Sequence, residues 1–155
     1  MKKITALLLV LLISIGLVGC DSGKEEPTVA NCSFNMDELT TYYVEFNYDK
    51  DGKVTDITLK FRRDYQDFGT EEEITNGART LSEAFEPMDG MIYTFEIIDG
   101  TILEDKLVID LLVADLEFLA EPSLFGLKTR LTPEELSSKD LLLGKLTEDN
   151  SYVCE

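Results

Sequence analysis

Between Tyr42 and Phe61 the chain alternates apolar and polar residues on both sides of one Asp-Gly step. Tyr42, Val44, Phe46 and Tyr48 interleave with Tyr43, Glu45 and Asn47, and Ile57, Leu59 and Phe61 interleave with Asp56, Thr58, Lys60 and Arg62. A period of two sends successive side chains to opposite faces of a strand. With Asp51-Gly52 between them, the two runs close into an antiparallel hairpin. The pattern recurs: Met91, Tyr93, Phe95 and Ile97 alternate with Thr94 and Glu96, Asp99-Gly100 supplies the turn, and Leu107, Ile109, Leu111 and Val113 return around Asp110. Each hairpin has one apolar face, which must be covered by something else.

Helices supply the cover. Thr70 opens "TEEE", a Thr-x-x-Glu capping box in which the hydroxyl and Glu73 satisfy amides left over at a helix start. Ile74, Ala78, Leu81 and Phe85 then recur at helical spacing up to Pro87. Near the end, "TPEE" from Thr132 begins a helical turn with proline at its first position, and Leu141, Leu142 and Leu146 lie on a second short helix closing near Asn150. Val29 to Met36 reads as a further strand, and Tyr152 to Cys154 as an extended tail. The expected architecture is an α+β domain over residues 28–155: an antiparallel sheet of two hairpins plus an N-terminal strand, with helices packed on one face.

The first twenty residues read differently. Lys2 and Lys3 precede a mostly Leu/Ile/Val run from Ile4 to Val18, the layout of a secretory signal peptide and shorter than the roughly 20 apolar residues of a membrane-spanning helix. The run ends in Leu17-Val18-Gly19-Cys20. This resembles the bacterial lipobox, in which the cysteine thiol takes a diacylglyceryl group and the lipoprotein signal peptidase cuts just before it. Residues 1–19 are therefore expected to be removed, Cys20 to carry the lipid, and the rest of 20–27, "DSGKEEP" after the cysteine, to form a flexible acidic tether. Each buried methylene of an acyl chain contributes about 0.8 kcal/mol, and two chains anchor stably where one is marginal. Asp21 resembles an inner-membrane retention signal of Gram-negative lipoproteins, and the sequence leaves the envelope type open.

Charge narrows the partners. Removing Lys2 and Lys3 from the 14 basic residues leaves 12 against 31 acidic ones, a net charge of −19. Binding to nucleic acid relies on basic side chains that release counterions, so no nucleic-acid partner is expected, and anionic lipid should repel the domain that the anchor holds. With Cys20 committed to lipid, Cys32 and Cys154 remain as an even pair in an exported chain, which favours a disulfide.

Chemistry-bearing constellations are few. "NYDKDGKVTDIT", residues 47 to 58, places Asn47, Asp49 and Asp51 at positions 1, 3 and 5 of a calcium loop and Gly52 at position 6, but Thr58 stands where the template needs glutamate. Its flanks alternate as strands instead of helices, so a hairpin turn is the reading and weak calcium binding the alternative. The chain has no histidine, which removes Ser-His-Asp and Cys-His arrangements and histidine metal sites. Acids such as Glu71 to Glu73, Asp64 and Asp67 fall in segments that look exposed. No catalytic residue, metal site or cofactor is expected, and the chain is read as not an enzyme. Tyr42, Tyr43 and Tyr48 concentrate aromatic surface on one hairpin, for cross-strand packing or for a partner.

Taken together, the LVGC motif, the acidic tether, "YYVEFNYDKDGKVTDITLKF", the helix from Thr70, the second hairpin and the final "SYVC" resemble the YehR-like small bacterial lipoproteins. That resemblance implies a one-domain envelope protein with a cysteine near each end of the domain, and brings no activity with it. The function expected is that of a membrane-anchored, non-enzymatic envelope module that binds an unidentified protein or small ligand. The alternatives are a structural or stress-related envelope component and a weak calcium-binding domain. Cys20→Ser should leave an uncleaved, unlipidated precursor, detected by mass spectrometry of the membrane fraction; processing at the same bond in that variant would contradict the lipobox reading.

Overall fold

The computed structural model describes residues 28–119, 122–150 and 152–155. The expected signal peptide, the Leu17–Cys20 motif and the tether lie outside them. Six strands form one antiparallel sheet: β1 (Thr28–Asn35), β2 (Thr40–Tyr48), β3 (Val54–Asp64), β4 (Met91–Ile98), β5 (Ile102–Asp110) and β6 (Val153–Cys154). Their order across the sheet is β4-β5-β3-β2-β1-β6. Among the described residues four α-helices accompany it, α1 (Glu71–Phe85), α2 (Leu116–Leu119), α3 (Pro133–Ser137) and α4 (Lys139–Asn150), with a 3-10 turn at Pro122–Phe125. This is the expected α+β class, helices against an antiparallel sheet.

The two hairpins form where the Asp-Gly steps place them, and their second strands meet. Leu59 pairs with Val44 on one side and with Leu107 on the other. β3 and β4 thus run parallel with β5 between them, a split β-α-β unit. The helix α1 has to carry the chain from the Asp64 end of the sheet to Met91, which pairs with Ile109 at the other end. Its 15 residues span about 22 Å, enough for that return.

Both arms of the Thr70 capping box are made: the Thr70 amide donates to Glu73 Oε2 (2.8 Å) and the Glu73 amide to Thr70 Oγ1 (3.4 Å). The Thr70 amide and hydroxyl, both donating to Oε2, hold the Glu73 carboxyl below the usual carboxylate range. Thr132 and Glu135 repeat the motif at α3, with Pro133 at the start of the helix. In α4, Leu142 and Leu146 are fully buried while Leu141 is 45% exposed. The second hairpin is shorter than the alternation suggests. β5 stops at Asp110 because its carboxylate accepts the Leu112 amide and its carbonyl the Ala114 amide, turning the chain. Leu111 stays buried, but Val113 is left exposed.

The inner face of the sheet meets two separate apolar layers. Val44, Phe46, Ile57, Leu59, Leu107 and Ile109 pack in one core with Leu119, Phe125, Leu131, Leu136, Leu142 and Leu146 from the C-terminal third. A smaller cluster joins Ile74 and Ala78 of α1 to Leu103 of β5, with Tyr65, Phe95 and Ile97 around it.

The tail returns to β1 as expected. Asn31 and Glu155 exchange both backbone hydrogen bonds, so Cys32 and Cys154 form the adjacent non-hydrogen-bonded pair, where side chains approach most closely. Their Cα atoms are 4.0 Å apart and the sulfurs are placed at bonding distance, 2.05 Å, as a disulfide-capable pair. Closing a loop across a separation of 122 residues stabilises by about 2–4 kcal/mol in typical cases. Cys32→Ser with Cys154→Ser should lower stability by that amount in denaturant titrations of the oxidised protein, and reductant should bring the wild type down to the same level.

Candidate functional site

Two apolar layers on one sheet leave a seam. Along it lies a cleft of about 250 Å³ whose apolar walls are Tyr42, Phe61, Leu81, Phe85, Leu124 and Phe125, and in which Asp105 is the sole acidic residue among the described ones. Leu81 belongs to the apolar stripe of α1 yet is 46% exposed, because the C-terminal layer stops short of it. It forms a wall instead of core.

Strand alternation dictates which side chains face the cleft. Leu103, Asp105, Leu107 and Ile109 share the inner face of β5, so the same periodicity that buries the leucines carries a carboxylate inward with them. Asp105 stands opposite Phe61 on β3 and Phe95 on β4. Tyr93 Oη donates to Asp105 Oδ2 at 2.9 Å. Burial pushes the Asp105 carboxyl up to about 6, against the opposing pull of the Tyr93 hydroxyl and the Phe61 amide. Burial, and then the charge of Asp105, raise the Tyr93 phenol. Among the described residues no basic side chain forms an ion pair with Asp105.

Aromatic rings surround this carboxylate. Phe85 stacks on Tyr93 with centroids 5.5 Å apart, and Tyr42 meets Phe61 edge-on at 5.0 Å. Gly126 lies against Tyr42: its φ is +63°, and a Cβ there would lie 3.2 Å from the Tyr42 ring. At the α1 end of the seam, the Arg63 guanidinium lies 5.2 Å from the centroids of both Tyr65 and Phe68, and its buried Nε has no hydrogen-bond partner. Lys60 also borders the cleft, but alternation along β3 turns its side chain to the opposite face. There a second depression of about 250 Å³ is lined by Ser33, Tyr43, Glu45, Thr58, Lys60 and Val153, among others.

The three hairpin tyrosines therefore divide. Tyr42 and Tyr48 pack inward, Tyr48 beside Phe46, and Tyr43 faces outward, 41% exposed. The calcium-like loop is a turn. Asp49 Oδ1 accepts the amides of Asp51 and Lys53, Asp51 pairs with Lys50, and Asn47 donates to Asp56. Gly52 takes φ +77° and its carbonyl accepts the Lys139 amide at the start of α4. Among the described residues no group of three or more acidic or cysteine side chains is arranged to hold a metal, and no helix is long and apolar enough to cross a membrane.

Asp105 was not among the sequence candidates. Extending the Leu107, Ile109 alternation upstream to Leu103 places the acid on an apolar face, which is the signal that points to it.

No family model and no curated protein matches the chain. Two solved structures share its fold. The NMR structure of Escherichia coli YehR superposes with a TM-score of 0.64 at 16% identity, covering 83% of this chain and 92% of that one. The NMR structure of a protein from Streptococcus pneumoniae TIGR4 has a TM-score of 0.59 at 13% identity, covering 88% and 89%. A YehR-like fold is thus supported, in line with the resemblance read from the sequence.

An acid whose folded-state pKa is raised binds more protons folded than unfolded, so it weakens the fold most above about pH 6, and that penalty fades as pH falls from there toward the ordinary carboxylate value of 3.8. In thermal melts, lowering the pH from about 7.5 to about 5 should therefore raise the wild-type melting temperature more than that of Asp105→Asn. The difference corresponds to about 1–2 kcal/mol after allowing for solvent around a partly exposed group.

Proposed function

We propose that this chain is a lipid-anchored protein of the bacterial envelope and that its domain is a non-enzymatic binding module, with the Asp105 cleft as its ligand site. The observation that carries the reading is Asp105 itself: a desolvated carboxylate without a basic partner, at the floor of an apolar cleft. Such a group works against folding at neutral pH, and groups of this kind concentrate at functional sites. Apolar walls converging on one polar group are the usual composition of a small-molecule pocket.

Binding is favoured over catalysis by the same inventory. Glycoside hydrolysis by carboxylates uses two of them in defined separation, while the cleft lining contains one among the described residues. The anchor rests on Leu17-Val18-Gly19-Cys20 and the charged and apolar segments before it. Tethering a binder to the membrane confines it to one surface and raises its effective concentration there. The partners implied are the membrane, through lipid on Cys20, and a small ligand. Oxidation of Cys32 and Cys154 to a disulfide fits the same extracytoplasmic location.

A thermal-shift screen of envelope-derived small molecules against the full chain tests this reading. A ligand at 100 times its dissociation constant stabilises by about 2.7 kcal/mol, and its NMR footprint should fall on Tyr42, Phe61 and Phe85. Gly126→Ala should push the Tyr42 ring into the cleft and weaken that ligand by about tenfold or more, on top of roughly 1 kcal/mol of backbone strain. A footprint on Glu45, Thr58 and Val153 would move the site to the open face of the sheet.

A further inference from the structure

We propose that the ligand of the cleft is a small organic cation, its ammonium group held between the Asp105 carboxylate and the aromatic rings of Tyr42, Phe61 and Phe85, with its apolar body along Leu81 and Leu124. This inference rests on the cleft being a ligand site and adds the chemical class.

The surroundings of Asp105 exclude the other classes in turn. An anion would approach a carboxylate in a chain of net charge −17, and among the described residues no basic side chain is ion-paired with Asp105 to offset that repulsion. Arg63, on the same face, lies over Tyr65 and Phe68 and its charge reaches Tyr42, but it forms no ion pair with Asp105, and strand alternation turns the Lys60 side chain to the other face. A neutral apolar ligand would strip the remaining water from Asp105 and leave its charge uncompensated. An ammonium group replaces that water with an opposite charge.

The rings act in the same direction. A cation within about 6 Å of an aromatic face is attracted by the ring quadrupole, more strongly when both are desolvated. Tyr42, Phe61 and Phe85 line the cleft that holds Asp105, and carboxylate plus ring faces is the pairing that holds an alkylammonium out of water. Tyr93 leaves this arrangement intact: its hydroxyl orients the carboxylate by donating to Oδ2 without neutralising it. At about 250 Å³ the space lies just below the roughly 300–1,000 Å³ of drug-sized pockets, which fits a small molecule.

The groups that share this environment are Tyr42, Tyr65 and Tyr93, all raised above the ordinary phenol value by burial, and Arg63, which acts on Tyr42 and Tyr65. None of these changes charge between about pH 5 and 8, so Asp105 alone switches there.

The test is isothermal titration of the full chain in non-ionic detergent with 2-phenylethylamine and with its neutral analogue 2-phenylethanol. At about pH 7.5 the amine should bind about tenfold tighter or better. That preference should vanish in Asp105→Asn, with folding of the variant checked by its melt. In the wild type it should fall away as pH drops through about 6, a readout that needs no variant. Equal binding of amine and alcohol, or a preference indifferent to Asp105 and to pH, overturns the cation while leaving the cleft as a ligand site. Failure of both probes to bind overturns the inference together with the small-molecule reading beneath it.

Discussion

The return of the chain's last residues to β1 holds the rest in place. Asn31 and Glu155 exchange two backbone hydrogen bonds, Cys32 faces Cys154, and between them and α4 the buried Tyr152 donates its hydroxyl to the Phe125 carbonyl at 2.6 Å. That last bond ties the tail to the 3-10 turn, which contributes Leu124 and Phe125 to the cleft wall, while Gly126 beside it lies against Tyr42. A contact at the far edge of the sheet therefore sets one wall of the site. A buried hydroxyl on a carbonyl stabilises modestly when made and costs more when lost, so this wall is held by an interaction that is expensive to break.

The opposite wall comes from α1, whose Ile74 and Ala78 have a small core of their own on Leu103 near the second hairpin turn. The C-terminal layer packs over β1 to β3 and the Leu107–Ile109 end of β5, and the end of α1 joins it through Phe85. A sheet covered by one continuous layer would have sealed Asp105 away from every cation. Two layers leave a seam, and the seam runs over the one inward position of β5 that is charged.

Much of this architecture is local and so could be read from the chain. Asp51-Gly52 and Asp99-Gly100 close their hairpins because a tight turn needs positive φ, which Gly52 and Gly100 take, and Thr70 and Glu73 start α1 because both bonds of the box lie within four residues. Val113 leaves its pattern because the bonds to Asp110 turn the chain locally, whereas Leu81 and Leu141 depart from theirs for a non-local reason. Periodicity reports which residues share a face, and exposure depends on whether another segment arrives to cover that face. The open carboxylate was hidden for the same reason, since an acid at an inward position is buried, paired or exposed according to its neighbours across the sheet.

By itself the sequence determined the strands, the capped helices, the even cysteine pair and the motif before Cys20, because each depends on turn chemistry, capping or spacing within a short span. Only the tertiary structure decided that β5 lies between β3 and β4, that two helical layers leave a seam, and that Asp105 opens into it with Tyr93 as its partner. Those outcomes depend on how segments from different parts of the chain divide a single sheet face between them, and no local preference encodes that division.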